Sequence, residues 1–172
     1  MRKIRLAMIV MGLALLCACS AAAPVWETVS DGEDMAAFSA QDAPYTMHFD
    51  VPADAVETAG ENGQPVYVQQ NGGYTIAGRT LYAANAESAV HMLTGQAAES
   101  VCVIETVKYG LPAYHFTWYE QETQQLCRAA MIMDGQMCYV LTVSQPEGLG
   151  TEYDNTVQQV FASWSLDMDE GF

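Results

Sequence analysis

Three histidines, five cysteines and 21 carboxylates are the side chains in this 172-residue chain that could do chemistry. Their spacing withholds most of it. His48, His91 and His115 stand tens of residues apart, and none has a metal-ligand partner at i+3 or i+4, so no zinc pattern forms. Cys102, Cys127 and Cys138 never approach the Cys-x-x-Cys spacing of a redox or zinc site. As an odd set they leave at least one thiol free or paired with another chain, and each reads as a buried small hydrophobe. There is no Gly-rich phosphate loop, no Gly-x-Ser-x-Gly elbow and no His-Glu-x-x-His. Asp31, Glu33 and Asp34 crowd three carboxylates into four positions, but not at EF-hand spacing, and a solvated linker accounts for them. One Cys and His pair could meet across neighbouring strands, His115 with Cys127. A satisfied core polar group beside a buried thiol is the preferred reading over an activated nucleophile. The expectation is therefore no catalytic residue, no metal ligand and no cofactor.

Charge excludes a further class. The formal net charge is −15, with 21 acidic residues against six Lys and Arg. Nucleic-acid binding rests on Lys and Arg neutralising phosphates, so no nucleic-acid partner is expected. A solvated acidic surface is the plain account of the charge, with attraction to a cationic partner or a divalent ion as the alternative.

The elements that would carry these residues are mostly strands. Tyr45 to Val51 alternates, with Tyr45, Met47, Phe49 and Val51 on one face, and Pro52 ends it. Pro65 to Gln70 and Tyr74 to Ala83 form a hairpin across Asn71-Gly72-Gly73. Asn85 then caps a helix whose apolar stripe is Ala86, Ala89, Val90 and Leu93, and Gly95 stops it; His91 falls off the stripe. Val101 to Tyr109 and Ala113 to Tyr119 read as a hairpin about Gly110-Leu111-Pro112. Setting Tyr109 opposite Pro112 places Val103 against Trp118, Val107 against Tyr114 and Glu105 against Phe116. That last pairing, a carboxylate on an apolar face, points to a register error or a bulge.

The clearest hairpin runs from Leu126 to Met133 and back from Gln136 to Val143 about Asp134-Gly135, residues that favour a type I′ turn. Pairing Met133 with Gln136 groups Cys127, Ala129, Met131, Cys138, Val140 and Thr142 on one face. Leu126, Arg128, Ala130, Ile132, Met137, Tyr139, Leu141 and Val143 take the other. Two apolar faces mark central strands covered on both sides. Cys138 then faces Met131, roughly 13 Å along the strand from Cys127, too far for a disulfide. Tyr153, Val157, Val160, Phe161 and Trp164 follow as the strongest amphipathic helix. Asp167 to Phe172 reads as a frayed acidic end.

The N-terminus supplies an address. Arg2, Lys3 and Arg5 precede an apolar run from Leu6 to Leu16 and then small residues, the order of a signal peptide. The run is about half the roughly 20 residues a membrane-spanning helix needs. Leu16-Cys17-Ala18-Cys19 resembles a bacterial lipobox, which implies that Cys19 is acylated and becomes the first mature residue; the alternative is an ordinary signal peptide cut near Ala21 to Ala23. Losing residues 1–18 leaves only Arg79, Lys108 and Arg128 against all 21 acidic residues, a mature formal charge of −18. Such a domain is repelled by anionic headgroups. Residues 19–43 read as an acidic tether reaching about 25–30 Å, with Trp26 as its one anchor-like side chain, and residues 44–172 as a single α+β domain.

The order of elements, closed by Asp134-Gly135, the strand Cys138 to Val143 and the helix Tyr153 to Leu166, resembles the PsbP-like fold. That resemblance covers Tyr45 to Leu166. It implies a central antiparallel sheet of about six to seven strands with helices packed against it, and an accessory or binding role more often than catalysis. No ligand set carries over residue by residue.

Together these readings predict a lipid-anchored accessory or binding protein on the extracytoplasmic face of a bacterial membrane, non-catalytic, held by its N-terminal lipid and meeting an envelope protein partner. Such a protein should show a contiguous exposed apolar or aromatic patch. The competing expectation is a small-molecule or metal-binding lipoprotein with a pocket between sheet and helices near His115 and Cys127.

Overall fold

In the computed structural model the described residues are 43–60, 64–149 and 151–168. Lipidation at Cys19, the signal peptide, the tether and Trp26 lie outside them.

The α+β architecture expected from the pattern is what the chain adopts. Seven strands form one antiparallel sheet in the order β2-β3-β4-β8-β7-β6-β5. Their ranges are β2 Ala55–Ala59, β3 Pro65–Gln69, β4 Thr75–Tyr82, β5 Cys102–Lys108, β6 Leu111–Glu120, β7 Gln125–Asp134 and β8 Met137–Pro146. Helix α1 (Ala86–Thr94) covers one face and α2 (Asp154–Ser163) the other. Two short strands, β1 (Thr46–His48) and β9 (Ser165–Asp167), pair with each other outside the main sheet.

The two faces are sorted by strand periodicity. Cys127, Ala129, Met131, Met133, Cys138 and Val140 pack with Ala89, Val90 and Leu93 of α1. Ala130, Ile132, Tyr139, Leu141 and Val143 pack with Val157, Val160 and Trp164. The central strands β7 and β8 are thus apolar on both sides, as a doubly covered sheet requires. Helix α1 starts where its cap predicts: the Asn85 side-chain oxygen accepts from the Ser88 amide at 2.8 Å, and Gly95 closes it with φ 66°. Helix α2 lacks a side-chain cap, but Arg128 from β7 reaches the carboxylate of Asp154 in its first turn at 2.8 Å.

Five expectations need correction. The β7–β8 register pairs Met133 with Cys138 rather than Gln136. Gly135 takes positive φ as the first central residue of the turn while Gln136 does not, the pattern of a type II′ turn with glycine leading. The β5–β6 register pairs Val107 with Pro112, because Tyr109 and Gly110, at φ 57° and 77°, are the two central residues of the turn. Both shifts are two residues, and an even shift keeps every side chain on its predicted face. Glu105 therefore stays on the α1 side, opposite Tyr114. Third, β2 has no counterpart in the sequence reading, since its short edge segment carries a single large apolar residue, Val56. Fourth, Asp167 closes strand β9 opposite Thr46 instead of opening a frayed end. Fifth, the first predicted strand, 45–51, shrinks to three residues and lies outside the main sheet, yet Tyr45, Met47 and Phe49 still turn inward, and Phe49 and Met47 cap Gly78 of β4.

Candidate functional site

The residues singled out for chemistry are kept apart by the sheet. His48 is exposed on β1 with its Nε2 3.9 Å from the Asp167 carboxylate. His91 is exposed on α1, its Nδ1 3.2 Å from the Gln96 carbonyl. His115 on β6 pairs with Ile104 and Ala130 and so faces the α2 side, whereas Cys127 faces the α1 side between Trp118 and Ser144. The expected pocket around His115 and Cys127 therefore does not exist: the thickness of the sheet lies between them. Partial burial and the nearby Lys108 charge pull the His115 imidazole below its ordinary value.

Cys127 and Cys138 are buried, and desolvation pushes both thiols up to about 11. Their strand positions lie six residues apart in the observed register, about 20 Å, so the exclusion of a disulfide between them holds. Cys102, by contrast with the expectation that all three are buried small hydrophobes, is free and exposed on the edge strand β5. Among the described residues, no cluster of three or more His, Cys, Asp or Glu side chains could hold a metal ion.

A polar cluster that the sequence did not reveal sits where β2, β3 and β4 begin and end. Tyr74 donates its hydroxyl proton to Asp54 Oδ1 at 2.5 Å, and Gln69 Nε2 donates to Oδ2 at 3.2 Å. The Gln69 Oε1 accepts from the amides of Asn71 and Gly73 at 2.8 and 3.0 Å. The Tyr153 ring stands edge-on to Tyr74 at 5.3 Å, so close to Gly73 that a Cβ there would lie 2.5 Å from it. The cluster clamps the β3–β4 turn to the start of α2. Donation from Tyr74 holds the Asp54 carboxyl below its ordinary 3.8. A carboxylate with a depressed folded pKa stabilises the fold above its unfolded pKa and loses that contribution as pH falls through the folded value. Asp54→Asn should therefore flatten the acid limb of the stability profile below about pH 4, read by chemical denaturation at pH 3 and pH 7. An unchanged acid limb would show that Asp54 is not the titrating group.

Shallow clefts flank β1. One, of about 460 Å³, is lined by Tyr45, Met47, Phe49, Pro65, Gly78 and Thr80. Another, of about 510 Å³, lies beside His48, Asp50, Tyr67 and Ser163.

The most distinctive exposed surface is the edge strand β5. Val103, Ile104, Val107 and the adjoining Tyr109 are 36%, 59%, 74% and 48% exposed. By the β5–β6 pairing, Val103, Glu105 and Val107 project on the α1 side and Cys102, Ile104 and Thr106 on the α2 side. The strand is fixed from behind. The Lys108 ammonium donates to the Trp164 carbonyl at the end of α2 and lies 4.9 Å over the Trp164 ring, satisfying a helix-terminal acceptor with a cation. The sequence signal for this strand was four β-branched residues in five positions, 103 to 107.

Compared with solved structures, the fold is similar to the cyanobacterial PsbP protein CyanoP of Synechocystis sp. PCC 6803, with a TM-score of 0.50 at 7% identity, covering 71% of this chain and 92% of that one. This places the chain in the PsbP-like fold. Weaker likenesses are to LpqN of Mycobacterium tuberculosis, described as involved in cell envelope biogenesis, with a TM-score of 0.46, 12% identity and 73% and 87% coverage, and to a Bacteroides thetaiotaomicron protein, with 0.44, 15% identity and 72% and 46% coverage. No family model and no curated protein sequence matches the chain. No helix of the described residues is long and apolar enough to cross a membrane.

Proposed function

We propose that this protein is a lipid-anchored accessory of the bacterial envelope, acting by non-covalent binding on the extracytoplasmic side rather than by catalysis. The observation that carries this reading is the exposed edge strand β5, which leaves Val103 and Val107 open on one face, Ile104 on the other and Tyr109 at its end. Soluble domains seldom leave such a surface uncovered unless it meets something, while Cys127 and Cys138 are buried and the three histidines stand apart. The lipobox-like Leu16-Cys17-Ala18-Cys19 supports a domain held at a membrane, and a net charge of −15 favours its standing off anionic headgroups.

Two experiments test the reading. A photocrosslinking residue at position 107 in intact cells should capture a specific envelope protein, while one at exposed position 87 on α1 should not; equal or absent capture at both would refute the binding role. Cys19→Ala should move the protein from the membrane to the soluble fraction, and retention on the membrane would remove the lipid anchor from the proposal.

A second reading, small-molecule binding, keeps one observation in its favour. The apolar cleft of about 460 Å³ beneath Tyr45, Met47 and Phe49 falls in the size range of ligand sites, although it lies away from the His115 and Cys127 location that the sequence suggested.

A further inference from the structure

The outer edge of β5 is long, apolar and unguarded. Seven residues, Cys102–Lys108, pair with β6 on one side, and no strand among the described residues pairs with the other. Edge strands usually carry a proline, a bulge or several charges that stop another chain from adding to the ladder. Here Cys102 to Lys108 contains no proline, its pairing with β6 runs without a bulge, and Lys108 is turned inward to the Trp164 carbonyl. Glu105 is the one exposed charge left on the strand. The opposite edge differs: β2 is five residues long, with small or polar side chains except Val56.

We infer, resting on the binding role proposed above, that β5 takes up an extended basic segment of a partner protein as an eighth strand, with a Lys or Arg of that segment set opposite Glu105. The backbone of an edge strand supplies alternate outward N–H and C=O groups, which give affinity without sequence preference, and side chains on the two faces give specificity. On the α1 side the order Val103, Glu105, Val107 calls for apolar, basic, apolar at alternate positions of the incoming strand. Ile104 and Thr106 on the other face call for β-branched residues between them.

Charge selects this occupant over a second copy. Two chains of net charge −15 repel each other. A two-fold antiparallel pairing centred on Glu105 would set two carboxylates face to face. Recentring it on Thr106 brings Val103 against Tyr109, which has left the strand with φ 57°. A basic segment meets no such conflict, and the acidic surface speeds its approach.

The test uses the detergent-solubilised full chain and a fluorescein-labelled peptide of alternating Val and Thr about one central Lys. Anisotropy should show saturable binding that weakens as salt rises. Replacing the central Lys by Glu should weaken binding about tenfold, from the summed loss of attraction and gain of repulsion across one strand pair. The exposed-site variant Glu105→Lys should invert that preference. Backbone amides within 102–108 should exchange more slowly when the Lys peptide is bound. Equal binding of both peptides, no inversion in Glu105→Lys, or unchanged amide exchange would each overturn the inference. So would slowed exchange of the same amides in a concentration-dependent dimer without peptide, which would assign the edge to a second copy. Capture of a partner from position 107 in cells, with these peptide results negative, would leave the binding role standing and remove strand addition alone.

Discussion

In the folded protein at pH 8, iodoacetamide should alkylate Cys102 and leave Cys127 and Cys138 untouched until the chain unfolds. The two buried thiols are 6% and 0% exposed, and desolvation raises both to about 11. Only the thiolate is nucleophilic, so at pH 8 about one molecule in a thousand is reactive at either site, on the order of a hundredfold fewer than for an unperturbed thiol. Restricted access lowers the rate further. Each sulfur also lies within weak hydrogen-bond reach of a backbone carbonyl two residues away, 4.0 Å from Gln125 for Cys127 and 3.9 Å from Gln136 for Cys138. Peptide mapping by mass spectrometry with and without guanidinium gives the readout. Native labelling of Cys127 as fast as Cys102 would mean that the α1 face of the sheet opens on the labelling timescale.

Replacing Trp164 with Ala should destabilise the domain by about 3–5 kcal/mol, the usual cost of deleting a buried Trp. Trp164 is 2% exposed and joins Val157 and Val160 against Ile132, Leu141 and Val143. Its ring also forms the platform for the Lys108 ammonium, and a partly desolvated contact of that kind contributes about 1 kcal/mol in addition to packing. The loss therefore reaches beyond α2 to the end of β5. Urea denaturation should show a lowered midpoint with the same slope, and hydrogen exchange should quicken first at 105–108. Trp164→Phe, which keeps most of the volume and a ring face, should recover more than half of the loss. A Trp164→Ala variant within 1 kcal/mol of the parent would show that α2 does not hold this face of the sheet.

The coupling of Lys108 to Trp164 explains why an exposed apolar edge is compatible with a folded domain. The strand most open to a partner is anchored behind by a cation, a helix terminus and an indole, so its geometry exists before anything binds. A preformed strand loses less conformational entropy on binding than a loop that must be ordered.

How far the residues alone carried the structure differs by element. Helix α1 was legible from Asn85 to Gly95 because its cap, stripe and stop are local. The sorting of β7 and β8 side chains onto two faces was legible because it depends on parity, which survived two wrong registers. The registers failed because turn type was judged from composition: Asp134-Gly135 resembles a type I′ pair, but the closing residues are Asp134 and Met137. The Asp54, Gln69, Tyr74 and Tyr153 clamp had no sequence signature, since its members are spread over about a hundred positions and meet only when α2 docks.

Periodicity, capping residues and charge by themselves determined the α+β class, the two-faced central strands and an acidic surface, because each is a property of neighbours in the chain. Tertiary structure alone decided which face each strand turns to which helix, and so separated His115 from Cys127 across the sheet. It also decided that β5 stands at an edge. Strand order in a sheet is set by contacts between distant segments, and no local pattern in Cys102–Lys108 records that one side of it has no neighbour among the described strands.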